Sequence, residues 1–157
     1  MFNLPQMTKM VEAIEPQAGG AITGDYVSLK NCAMCYVVVH ITQAAANTVA
    51  ITLEQATSVG AGGTTPITKV VPIWANEDCA ATDTLVAQTA AVAFTTSAAQ
   101  KHKIVVFQVD PATFTLAGAD CLTVKTGASA AGNITSAMYY LVDLRYQQAT
   151  PPAAITD

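Results

Sequence analysis

Charge is what this chain has least of. Charged residues make up 11% of its 157 positions, where an ordinary soluble domain carries about 25%. A surface so poor in charge is unusual for a free monomer, because a charged exterior normally keeps protein molecules apart in water. The expectation is that partners cover part of the exterior and that Thr, Ser, Gln and Ala form the rest. The seven basic residues, Lys9, Lys30, Lys69, Lys101, Lys103, Lys125 and Arg145, are scattered apart from the pair around His102. Nucleic-acid binding draws most of its affinity from clustered Lys and Arg, so a DNA or RNA partner is not expected. The net charge of −4 points the same way.

Long apolar runs are also lacking. No stretch approaches the roughly 20 residues that a membrane helix requires, and the apolar run Tyr36 to Ile41 has the length of a strand. The start, Met1-Phe2-Asn3-Leu4-Pro5-Gln6, has no positive region followed by an apolar one, so synthesis in a cytoplasm is expected. The four cysteines are then expected as thiols in a reducing compartment. Cys32-Ala33-Met34-Cys35 is a CxxC, but zinc needs a second pair at comparable spacing, and Cys79 and Cys121 stand alone. Along a strand, positions 32 and 35 also point to opposite faces. A thioredoxin-type site needs a βαβ context that the pattern does not provide.

Period-two alternation is the dominant signal that remains. Val49, Ile51 and Leu53 alternate with Ala50, Thr52 and Glu54 in Thr48 to Thr57. Between Ile134 and Tyr146, Met138, Tyr140, Val142, Leu144 and Tyr146 alternate with Tyr139, Leu141, Asp143 and Arg145. Such patterns describe strands with one buried face. Asp25 to Asn31, Met34 to Thr42, Thr68 to Ala75, Leu85 to Thr96, His102 to Asp110 and Asp120 to Thr126 join them, rich in β-branched and aromatic residues. Turn signals separate them: Ala44 to Asn47, Val59 to Gly63, Ala75 to Asp78, Asp110-Pro111 and Gly127 to Asn133. About eight short strands so punctuated predict a single all-β domain, a β-sandwich or jelly-roll-like barrel.

The ends read differently. Residues 1–23 are expected as an extended N-terminal arm with Pro5, Pro16, Gly19 and Gly20, residues 24–147 as the β-body, and residues 148–157 as an extended, proline-stiffened tail. Ten extended residues reach up to roughly 33 Å. Apolar side chains on such an arm gain about 25 cal/mol per Å² when buried on a neighbour, which makes Phe2, Leu4, Met7 and Met10 the candidate docking residues.

Chemistry finds little footing. His40 and His102 each lie inside a strand-like run. There is no Gly-x-Ser-x-Gly elbow and no His-Glu-x-x-His pair. Glu77, Asp78 and Asp83 are the densest acidic group, but lack the alternate spacing of a calcium loop. Gly60-Ala61-Gly62-Gly63 leads into a strand, not a helix N-terminus, and reads as a hairpin tip. No cofactor, metal or enzymatic activity is expected.

Several stretches together resemble a known family: Leu4-Pro5-Gln6 with Val11-Glu12; Asp25 to Asn31; Val71-Pro72-Ile73-Trp74; Lys103 to Pro111; and Leu144 to Pro152. They are similar to small proteins encoded near the major capsid protein of tailed bacteriophages. The resemblance covers nearly the whole chain, is carried by framework strands, and transfers no catalytic residues. It implies a structural virion component, a decoration or cement protein on the capsid exterior. The major capsid protein is then the partner and a homo-oligomer, usually a trimer, the state. Alternatives are a head–tail completion or tail protein, and a ligand- or carbohydrate-binding β-sandwich. The last would present a flat row of aromatics drawn from Trp74, Tyr26, Tyr139 and Tyr140.

Overall fold

A computed structural model of the chain describes residues 4–145 and 153–155. One helical turn, α1 (Leu4–Met7), precedes the strands β1 (Lys9–Ala18), β2 (Ile22–Thr23), β3 (Val27–Ser28), β4 (Cys32–Gln43), β5 (Ala50–Ala56) and β6 (Thr65–Pro66). Then follow β7 (Val71–Asn76), β8 (Val86–Ala91), β9 (Ala93–Thr95), β10 (His102–Val109), β11 (Cys121–Thr126) and β12 (Asn133–Leu144), with one 3-10 turn at Pro111–Thr113. Two antiparallel sheets of six strands form a sandwich. The wide sheet runs β1-β12-β4-β10-β7-β8. The narrow sheet runs β2-β11-β5-β6, with β3 sharing one flank of β11 and β9 sharing one flank of β5. The sheets are open, so of the two expected forms it is the sandwich that holds.

The core is the set of inward residues that period two selects. Val37, Val39 and Ile41 of β4, Val105, Phe107 and Val109 of β10, and Tyr139 and Leu141 of β12 face Ile51 and Leu53 of β5 and Leu122 and Val124 of β11. Each is removed from water, and burying one such side chain contributes about 1.5–3 kcal/mol. Tyr139 also ties the sheets together. Its hydroxyl donates to the Asp25 carbonyl (2.9 Å) and accepts the Val124 N–H (3.0 Å). That N–H falls between the β11 residues paired to β3 and those paired to β2. Beside it the chain crosses closely at Gly24, where a Cβ would lie 2.8 Å from the Ala13 carbonyl oxygen and 2.9 Å from that of Val124.

Each segment expected as a strand contains one, but Asp25 to Asn31 holds only the two residues of β3, Leu85 to Thr96 divides into β8 and β9 in different sheets, and the start of the chain differs. Residues 9–18, expected in an extended arm, form β1, paired with β12 along the margin of the wide sheet. Pro16, Gly19 and Gly20 had pointed to an extended arm, and the segment also carries Lys9, Glu12 and Glu15. An edge strand tolerates them because half of its backbone groups need no partner. β1 also slips register twice, between Glu12 and Ile14 and between Ile14 and Gln17, which hides the alternation. A second difference lies in β12. Asp143 has φ of 51°, and the inward phase shifts so that Leu144 is buried as well as Leu141. Of the expected C-terminal tail, Ala154 is buried and its carbonyl accepts the Ser28 N–H, while Tyr146 and residues 147–152 lie outside the described residues.

Candidate docking surface

Outward-pointing residues of the wide sheet form rows across its strands. One row reads Glu12, Met138, Val38, Val106, Trp74 and Ala87, each the register partner of the next. After the glutamate at the margin, every position is apolar. The adjacent row reads Met10, Tyr140, Tyr36 and Gln108. On the other side Ser136 pairs with His40, and His40 with Ile104. The aromatic and aliphatic members are half-buried by one another, and Met138, Ile134 and Met10 stand exposed. Apart from two histidines and Asp143, exposed at the irregular end of β12, the outward positions of β12, β4 and β10 carry no ionisable group except the phenols of Tyr36 and Tyr140. A folded sheet does not need this second apolar face, and contiguous exposed apolar surface marks an interaction site.

α1 sits at one end of this band. Leu4, 42% exposed, lines an open depression of about 300 Å³ with Thr8, Tyr36, Val38, Val106, Tyr140 and Val142. Of the candidate docking residues, Leu4 and Met10 thus reach the same outer face, Met10 being 41% exposed beside Tyr140. Met7 is half-buried on α1, and Phe2 lies outside the described residues. The larger part of the surface, Tyr36, Val38, Trp74, Val106 and Met138, was not among those candidates. A signal for it exists: Tyr36-Val37-Val38-Val39 and Ile104-Val105-Val106-Phe107 are apolar at both parities. Strands reading so are covered on both faces.

The outer face of the narrow sheet has the opposite character. Thr23 and Thr52 are exposed, and Lys125 on β11 pairs with Glu54 on β5 at 3.1 Å. The Thr123 hydroxyl donates to the Gly24 carbonyl at 2.7 Å.

Other sequence candidates are drawn into structural roles. Cys32 and Cys35, expected on opposite faces, are both buried in the core. The strand is irregular at their junction: the intervening Ala33 is exposed and Met34 half-buried, so the spacing of three returns to the inner side. Burial pushes the Cys32 thiol up to about 11 and that of Cys35 well above its ordinary value. Both therefore stay protonated near neutral pH, the form that neither attacks nor ligates. Among the described residues no group of three or more His, Cys, Asp or Glu is placed to hold a metal. His40 and His102 stack with ring centroids 6.5 Å apart at one end of the wide sheet.

The acidic loop and the basic pair meet each other. Lys101 bonds Asp78 at 2.9 Å, and this hydrogen bond holds the Asp78 carboxyl below its ordinary value. Lys103 turns the other way and is fully buried. Its ammonium donates to the Ser97 carbonyl (2.7 Å) and hydroxyl (2.9 Å), with Glu77 at 3.6 Å. Gln43 and Thr96 extend the same network, which pins the segment after β9 to the sandwich. The aromatics do not form one row: Tyr139 is in the core, and Tyr26 bonds Thr64 on the other side of the molecule from Trp74 and Tyr140.

Compared with family models, with curated proteins and with solved structures, the chain matches none.

Proposed function

We propose that this chain is a structural assembly subunit, a decoration protein that lays the outer face of its wide sheet against the capsid of a tailed-phage head. The apolar row Met138, Val38, Val106 and Trp74 carries the reading, since it offers a partner what water cannot use. Removing about 300 Å² of such surface from water is worth roughly 7 kcal/mol before the cost of association is subtracted. The resemblance supplies the partner, the major capsid protein, and a homo-oligomeric state. Binding is passive, with no bond made or broken. Many equivalent contacts on a symmetric shell sum to a strong clamp without any one being strong.

Co-sedimentation of the purified chain with phage heads that lack it tests the reading. Saturable binding of many copies per head is expected. Binding of only a few copies would place the chain at the portal or tail, and no binding would overturn a virion role.

A further inference from the structure

The two edges of the wide sheet differ as much as its two faces. β1 is defended against a further strand: it carries Lys9, Glu12, Glu15 and Pro16 and slips register twice. Residues 153–155 also lie against its first residues. Charges, proline, irregularity and cover are the means by which natural edges are kept from pairing.

β8 lacks charge, proline and cover on its own residues, and has a single irregularity, between Gln88 and Ala91, where three steps on β8 oppose two on β7. No charged residue and no proline occurs between Asp83 and Lys101. Its residues are exposed from Val86 to Ala90 on both faces. The inner face is open because β8 projects past the narrow sheet. Val86 is 56% exposed although its register partner Ala75 is buried. Leu85 and Val92 extend the exposed apolar surface at either end.

We propose that β8 is an intermolecular pairing edge and that its occupant is β8 of a second copy of this chain. The two strands run antiparallel about a two-fold axis and fuse two wide sheets into one. Absence of charge is what suits the strand to itself, since antiparallel self-pairing sets no like charges opposite one another. The defended β1 edge disfavours head-to-tail addition of β8 onto β1 of a neighbour, which would build rings or filaments. The contact is therefore isologous and closes at two copies. Ala87 ends the apolar row that begins at Met138, so the pairing also brings the outer bands of both copies into one surface. A two-fold differs from the trimer that the resemblance implies.

Sedimentation velocity on the full chain without heads, over a wide concentration range, reads the state independently of any capsid role. A concentration-dependent dimer is expected, with hydrogen-exchange protection of the 86–91 amides rising as it forms. The double variant Ala87→Lys/Thr89→Lys changes only exposed side chains and should be a monomer with unchanged circular dichroism. Mixing it with Ala87→Glu/Thr89→Glu should restore the dimer. A wild-type chain that stays monomeric at every concentration overturns the proposal. So does a trimer, or a dimer indifferent to the lysines.

Discussion

The two outer faces of the sandwich solve different problems with the same strand geometry. On the narrow sheet, inward Ile51, Leu53, Leu122 and Val124 alternate with Thr52, Glu54, Thr123 and Lys125, and the outward set is polar, with an ion pair. On the wide sheet the inward set is equally apolar, but so is much of the outward one. The core uses one face of each sheet, so folding accounts for the first pattern and leaves the second with a surplus. Outward valine and tyrosine that pack only on one another add less to stability than they do once a partner covers them. The difference teaches that the informative residues are those whose apolar character the core does not use.

The largest expected effect comes from charging one face and then the other. Val106→Lys with Met138→Lys places two ammonium groups on either side of Val38. Truncating or charging central interface residues costs 2 kcal/mol or more each, so head binding should weaken by about a hundredfold or more while the fold survives. The matched pair Thr23→Lys with Thr52→Lys, on the narrow sheet, should leave binding within about twofold, as surface substitutions away from an interface do. Equal losses from both pairs, measured by co-sedimentation, would erase the distinction between the faces.

Adjacent tyrosines sharpen the same contrast one step lower in size. Tyr139 points in and Tyr140 points out. Tyr139→Phe strands the buried Val124 N–H and should lower stability by about 1–3 kcal/mol in urea unfolding. In Tyr140→Phe the lost hydroxyl had, among the described residues, only the Met138 sulfur at 3.9 Å, so stability should move by less than about 0.5 kcal/mol. Comparable losses at both would mean that the outer face is structural after all.

The strands were legible wherever one face is buried and the other wet, because period two then appears directly in the sequence, as in Val49 to Glu54. β1 was not, since an edge strand with Pro16 and two register slips does not alternate. β2, β3, β6 and β9 are only two or three residues long, too short to show a period, and exist because β11 and β5 need neighbours. The docking face was half legible. Leu4 and Met10 stood out as apolar residues near the start, whereas Val38 and Val106 sit in runs apolar at both parities, where only the registers separate the two sides of their strands. Lys103 had no signal. A buried lysine differs from an exposed one only through Ser97 and Glu77, which the fold brings to it.

The smallest effect is expected at the Lys125–Glu54 pair, and its smallness is itself informative. The two residues lie diagonally across β11 and β5, since Lys125 pairs with Thr52 and Thr123 with Glu54. At 3.1 Å the attraction is real, but both side chains keep access to solvent, where screening and lost side-chain freedom offset most of it. A double-mutant cycle with Lys125→Ala and Glu54→Ala should give a coupling below about 1 kcal/mol, shrinking further as salt is added. A coupling of several kcal/mol, insensitive to salt, would mean that this face is shielded from water. The narrow sheet would then be the covered side, and the contrast between the two faces would have to be reversed.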